Sequence, residues 1–264
     1  MTGAVAVIGF GAMAQSLREG LAARPDGPRI TGCLLPAGSS RALPEGIRRC
    51  RTAAEIIALR PDMVVECAGH SALSDHVPDL LRAGLDVAIV SIGALCDDAL
   101  RDRLMAAATA GGSRCIPVAG AIGGLDLLRA ARLAGLDQVT YRGIKPPAAW
   151  AGSPAEGAFD PMTLDAPMTF FSGSARKAAA TFPKNANVAA AVALAGIGLD
   201  RTRAELVADP GVTTNRHEIV AEGAFGRMSL AVDNQPLPGN PRTSHLAALS
   251  VEAAVIAALG TVGF

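Results

Sequence analysis

The chain has 264 residues, half of them apolar, and its 24 Lys and Arg balance 24 Asp and Glu. That balance creates no field for gathering nucleic acid or an anionic membrane, and one Trp, one Tyr and seven Phe give few platforms for stacking bases. Mean hydropathy is positive, yet Gly, Pro or charge breaks the apolar runs before roughly 18 residues, so no membrane span is expected.

Met1-Thr2-Gly3 carries no basic region of the kind that opens a secretory signal, and it leads into a strand over residues 5–8. The turn Gly9-Phe10-Gly11-Ala12-Met13-Ala14 follows, and then a helix over 16–23 that Pro25 closes. A strand over 30–35, a helix over 53–59 and a strand over 63–67 come next. A helix over 75–83 ends at Gly84, and a strand over 87–90, a helix over 98–110 and a strand over 114–118 complete the series. Continuous apolar strands separated by helices predict a parallel sheet covered on both faces, a Rossmann-type doubly wound α/β domain.

The pattern changes after Gly120. A strand over 137–145 ends in Lys145-Pro146-Pro147, a Pro- and Gly-rich loop fills 151–167, and an Ala-rich helix covers 185–197. Alternating stretches at 204–208, 217–220 and 226–232 predict a mainly antiparallel sheet with one covered face, and so an α+β domain. Asn240-Pro241-Arg242-Thr243-Ser244 ends it and starts an apolar helix reaching about residue 259. The expected division is a dinucleotide-binding domain over 1–120, with the C-terminal helix (243–264) packing back on it, and a substrate-binding and dimerisation domain over 121–242. Five cysteines form no CxxC pair, and Cys33, Cys67 and Cys115 lie in apolar runs. They read as core residues of a cytoplasmic protein, with no metal site and no disulfide framework.

The chemistry begins at the first turn. Gly9 permits the tight turn, Gly11 lets backbone approach a pyrophosphate, and a small residue at Ala14 lets helix and strand pack closely. Gly9, Phe10, Gly11, Ala12 and Met13 are therefore candidate cofactor-binding residues, at a helix N-terminus suited to phosphate. No Asp or Glu lies between Asp26 and Glu45, where a ribose-binding acid is usual, while Ser39, Ser40 and Arg41 follow the second strand. This admits NADP as well as NAD. Cys67-Ala68-Gly69-His70 follows the strand at 63–67, and its small residues, Ala68 included, let backbone lie beside a dinucleotide. His70 is read either as a proton-transfer residue or as a mere neighbour of the cofactor. Gly120-Ala121-Ile122-Gly123-Gly124 stands at the domain change and lacks bulk where a ligand or a hinge would need room. Lys184, Asn185 and Asn187 open a helix, with more polar groups than capping requires. His217 opens an alternating strand and is of the residue type best suited to exchange protons near neutral pH.

Several of these segments fall in one order: the turn at Gly9, Gly120-Ala121-Ile122-Gly123-Gly124-Leu125-Asp126, and Phe182-Pro183-Lys184-Asn185-Ala186-Asn187-Val188. Ala208-Asp209-Pro210, Asn215-Arg216-His217-Glu218-Ile219, Gly223-Ala224-Phe225-Gly226 and Asn240-Pro241-Arg242-Thr243-Ser244 continue it. Together they resemble the L-aspartate dehydrogenase family across almost the whole chain. The resemblance implies a dihydrodipicolinate reductase-like architecture, a homodimer, and His217 as the active-site proton-transfer residue. It also implies that Ala121 and Asn187 contact the dinucleotide, and that L-aspartate, water and NAD or NADP yield oxaloacetate, ammonia and reduced cofactor through iminoaspartate. The substrate has two carboxylates, for which Lys184, Thr243 and Ser244, with Lys145 or His245, are the candidate donors. The alternatives are another reductase of this architecture, acting on a cyclic imine or a semialdehyde, and a non-catalytic NAD(P)-binding sensor.

Overall fold

The computed structural model describes residues 3–183, 187–238 and 240–260, with Pro241 and Arg242 described by backbone alone. The chain folds into two compact units: the residues up to Val118 together with those from Ala248 on, and Ala119–Ala247.

The first unit runs β1 (Ala4–Ile8), α1 (Ala12–Ala22), β2 (Arg29–Leu34), β3 (Arg48–Cys50), α2 (Ala53–Ala58), β4 (Met63–Glu66), α3 (His70–Arg82), β5 (Val87–Ile89), α4 (Asp98–Gly111) and β6 (Cys115–Pro117). Its six strands lie in the order β3-β2-β1-β4-β5-β6 and every pairing is parallel. The chain therefore winds outward from β1 in both directions, and the ends of β1 and β4 meet at the switch point where such sheets take ligands. Val5, Val7 and Val65 fill the sheet's interior together with Leu17 and Leu21 of α1 and the C-terminal Val251 and Val255.

Two helix starts differ from the expectation. The first helix begins at Ala12 rather than 16, because extended Gly11 releases the chain straight into it. The third begins at His70 rather than 75, so His70 is a helix residue and not a loop residue. Gly69, at φ +119°, makes the sharp entry that a side chain would resist. Inside α3, Pro78 has no N–H for the carbonyl of Ser74. Arg103 Nη2 donates to that carbonyl instead, at 2.7 Å.

The second unit runs α5 (Leu125–Ala134), β7 (Leu136–Lys145), β8 (Met168–Ser174), α6 (Ala175–Thr181), α7 (Asn187–Ala195), β9 (Arg203–Ala208), β10 (Asn215–Gly223), β11 (Gly226–Asn234), β12 (Pro236–Leu237) and β13 (Asn240–Ser244), and α8 (His245–Leu259) begins in it. The main sheet is ordered β11-β10-β7-β9-β8. Three of its pairings are antiparallel, but β7 and β9 run parallel, so the sheet is mixed. Sequence alternation missed β8 because its register shifts between Thr169 and Phe171, which breaks the period of two. Helix α6 follows directly, capped by Ser174 Oγ, which accepts from Lys177 N at 3.3 Å. Asn240–Ser244, expected as a helix-starting segment, is itself a strand paired with β12.

Candidate active site

In the first unit, the turn after β1 is held by Gly9 N donating to Leu34 O at 2.9 Å. Gly9 has φ +83°, and a Cβ there would lie 2.9 Å from Ala68 Cβ and 3.2 Å from Cys67 O. Ala68 thus packs directly against the fingerprint glycine, which ties the β4–α3 turn to the β1–α1 turn. Gly11 is the opposite case: a Cβ there would meet nothing within 4 Å. Its φ of −77° suits any residue, and no side chain caps the helix it precedes. The first N–H groups of α1 are therefore left for a ligand, and their dipole end favours an anion. Glycine at 11 keeps space that the protein itself does not fill, which is the fit a dinucleotide pyrophosphate requires.

Sequence reasoning passed over Glu66. This carboxylate ends an otherwise apolar strand and is fully buried. Its Oε1 accepts from Ala68 N and Gly69 N, both at 2.8 Å, and from Ser91 Oγ at 2.9 Å. Its Oε2 accepts from Ser91 N at 3.1 Å. Four donors from two successive loops at the sheet's carboxyl edge satisfy one acceptor-only group, fixing the β4–α3 and β5 exits together. A lone acid closing a wholly apolar strand was the available signal.

In the second unit, β-sheet register assembles a second cluster. His217 on β10 lies opposite Gly143 on β7. Tyr141 and Lys145 share Gly143's face, two residues to either side. A Cβ on Gly143 would stand 2.7 Å from the Tyr141 hydroxyl, so glycine leaves the room through which that hydroxyl reaches His217 Nδ1, at 2.8 Å. The two rings stack at 5.9 Å between centroids. Both side chains are buried. Burial, helped by the Lys145 charge, pushes the His217 imidazole down to about 3, while burial alone raises the Tyr141 phenol above its ordinary range. Burial lowers the Lys145 ammonium to about 8, and its Nζ sits 4.9 Å from the centre of the Trp150 ring. His217 is therefore a neutral imidazole at neutral pH, with Nδ1 engaged and Nε2 left for chemistry. With Nδ1–H donating to the phenol oxygen, Nε2 presents a lone pair; with the phenol donating, Nε2 carries the proton.

This burial has a stability consequence. Between about pH 6.5, the unfolded value, and about 3, the unfolded imidazole binds a proton that the folded one refuses. The fold accordingly loses stability as pH falls through that window. Thermal unfolding across it should show a slope that His217→Gln flattens.

The remaining predicted residues have definite places. Ala121 O accepts from Asn234 Nδ2 at 3.0 Å, and Asn234 Oδ1 accepts from Ser244 Oγ at 2.6 Å. Buried Asn234 thus joins the Ala121 segment to Ser244 and fixes both. It falls in phase with the inward positions 228, 230 and 232 of β11, which is where a polar residue is a signal. Ser244 Oγ also accepts from Ala247 N, at 3.4 Å in the first turn of α8. Thr243 Oγ1 accepts from Asn240 Nδ2 at 3.1 Å. Asn187 is the first residue of α7. Lys184 and Asn185 lie outside the described residues. No group of three or more His, Cys, Asp or Glu among the described residues is placed to hold a metal ion, and no helix among them is long and apolar enough to cross a membrane.

A Rossmann sheet with an open glycine turn, joined in one chain to a mixed-sheet unit carrying a neutral buried histidine, defines a nicotinamide-dependent dehydrogenase of two units. Family models agree for both parts. Residues 9–116 match the homoserine dehydrogenase NAD-binding domain, and residues 126–258 match the C-terminal domain of aspartate dehydrogenase. The L-aspartate dehydrogenase of Ruegeria pomeroyi is 50% identical over 95% of this chain and 90% of its own. That of Pseudomonas aeruginosa is 43% identical over 94% of each. The chain belongs to the L-aspartate dehydrogenase family. Its fold matches the crystal structure of aspartate dehydrogenase from Thermotoga maritima with a TM-score of 0.79, at 24% identity and over all of both chains. A dihydrodipicolinate reductase from Paenisporosarcina shares the fold more loosely, with a TM-score of 0.57 at 14% identity over 98% of this chain and 95% of that one.

Proposed function

We propose that this chain oxidises L-aspartate to oxaloacetate and ammonia through iminoaspartate, with NAD or NADP as acceptor, and catalyses the reverse reductive amination. The observation that carries the reading is the buried Tyr141–His217 pair with the Lys145 charge beside it. Membership of the family supports the substrate.

The turn Gly9–Met13 with Ala68 holds the dinucleotide, and Ala121 and Asn187 contact it as the family resemblance implies. When bound, the nicotinamide supplies an acceptor for the hydride of the substrate α-carbon. His217 does the proton work. In the tautomer with Nδ1–H on the Tyr141 oxygen, Nε2 accepts one proton, either from the α-ammonium group or from the water that attacks the imine carbon. In the reverse direction the imidazolium returns that proton. Tyr141 holds the ring and lets either nitrogen carry hydrogen, without taking up charge itself. Lys145, charged at neutral pH, attracts a substrate carboxylate, with Thr243 and Lys184 as further donors. A dianionic substrate beside Lys145 also offsets the repulsion that this ammonium exerts on a protonated His217. The five cysteines are all free, which supports a cytoplasmic setting, and the family resemblance supports a homodimer.

The test is a substrate panel. Oxaloacetate with ammonia should consume NADH or NADPH, whereas homoserine and dihydrodipicolinate should give no turnover. Turnover of either of the latter at a comparable rate, without reaction of oxaloacetate, would replace this reading with the rival reductase.

A further inference from the structure

The second strand of the dinucleotide unit ends without a carboxylate. After β2, residues 35–44 read Leu-Pro-Ala-Gly-Ser-Ser-Arg-Ala-Leu-Pro, with no acid among them. In a sheet of this order, the strand beside β1 ends where the adenosine ribose lies, and the residues just beyond it read the 2′ position. An acid there accepts the 2′-hydroxyl of NAD and repels a 2′-phosphate.

In its place the structure gathers guanidinium groups. Arg49 on β3 lies beside Cys33 in the parallel register. Its Nη1 donates to Ser39 O at 3.2 Å and its Nη2 donates to Arg41 O. Arg51 Nη1 donates to Ala37 O at 3.3 Å. Two cations from the neighbouring strand and its exit therefore fasten the loop by its carbonyls and bring their charge to it. Within the loop, Arg41 N donates to Ser39 Oγ at 3.4 Å, which ties the two residues together. Arg41 itself is exposed, and a Cβ on Gly38 would meet nothing within 4 Å. Arg49, half-buried and paired with Cys33 in the register, stands at the strand end, while Arg41 is presented to solvent from the loop that Arg49 braces.

We infer that the loop at Ser39–Arg41, braced by Arg49 and Arg51, binds the 2′-phosphate of NADP and makes this chain an NADP-preferring enzyme. The inference rests on the first unit being the dinucleotide site, and it is independent of the role given to His217. Arg41 supplies a fork of donors suited to a phosphate, and the Ser39 and Ser40 hydroxyls add neutral ones. NAD enters the same cleft, and the loop after β2 offers no carboxylate of its own to the ribose hydroxyl.

Binding of two fragments separates the possibilities without recourse to turnover. By calorimetry on the full-length protein, adenosine 2′,5′-bisphosphate should bind at least about tenfold more tightly than adenosine 5′-monophosphate. Raising the salt concentration should narrow the gap. Arg41→Ala, at an exposed loop position, should remove most of the preference and leave monophosphate affinity unchanged. The kcat/KM ratio for NADPH over NADH should fall in parallel. Equal affinities in the unaltered protein, or an Arg41→Ala variant that keeps its preference, would overturn the inference while leaving the dinucleotide site intact. Failure of both fragments and both cofactors to bind would overturn the site itself.

Discussion

Replacing His217 by alanine lowers kcat for aspartate oxidation by about 10²–10⁴-fold, the usual range for losing a positioned acid–base group. Cofactor affinity stays close to that of the unaltered protein, because the turn proposed to hold the dinucleotide pyrophosphate belongs to the first unit and His217 to the second. Tyr141→Phe separates the imidazole's chemistry from its support. The phenyl ring preserves packing, but Nδ1 loses its 2.8 Å partner. Tautomer and ring orientation are then no longer held, and kcat falls by about tenfold with little change in the KM for the cofactor. Steady-state kinetics in both directions, with cofactor binding followed by fluorescence titration, measure both variants. A His217→Ala enzyme with near-normal turnover would remove this residue from the mechanism.

Gly11→Val has the second large effect, and it separates ligand space from protein space. A Cβ at Gly11 has no neighbour within 4 Å and the backbone sits at an ordinary φ. The unliganded protein should therefore melt within about 2 °C of the unaltered chain. Cofactor affinity, by contrast, should fall by about 10²-fold, because the side chain occupies the line along which backbone approaches the pyrophosphate. Gly9→Ala should do the reverse in order of severity. Its φ of +83° and the 2.9 Å clash with Ala68 Cβ strain the fold itself, at about 1–3 kcal/mol. Thermal unfolding alongside isothermal titration resolves the two patterns.

These sites differ in how far they could be read from sequence. The Gly9–Ala14 turn was legible because it lies between a continuous apolar strand and a helix, and each glycine there answers a local backbone need. His217 was visible as a lone proton-exchanging residue opening an alternating strand, and the family resemblance, not the spacing, gave it a role. Its partners were not legible. Tyr141 lies 76 positions away, and only the β7–β10 register, with Gly143 opposite His217, brings the phenol to the ring. Asn234 and Glu66 were likewise hidden, since their importance lies in donors and acceptors contributed by distant loops. The mixed character of the second sheet escaped for a related reason. Alternation reports which face of a strand is covered, and β9 is covered like its neighbours, but alternation carries no information on whether β9 runs parallel or antiparallel to β7. His70 was misplaced by five residues of helix because the brace on Glu66 and the positive φ of Gly69, not a capping side chain, start α3 there.

Everything proposed for the two units depends on hydrogen leaving the α-carbon of L-aspartate as hydride for a nicotinamide. L-aspartate deuterated at the α-carbon reports this transfer, with NAD and NADP supplied separately and the reduced cofactor analysed by mass spectrometry. One deuterium should appear in the reduced nicotinamide ring for each oxaloacetate formed, with ammonia released in equal amount. Deuterium lost to water, or an aspartate-dependent product without reduced cofactor, would show that the hydride transfer does not occur.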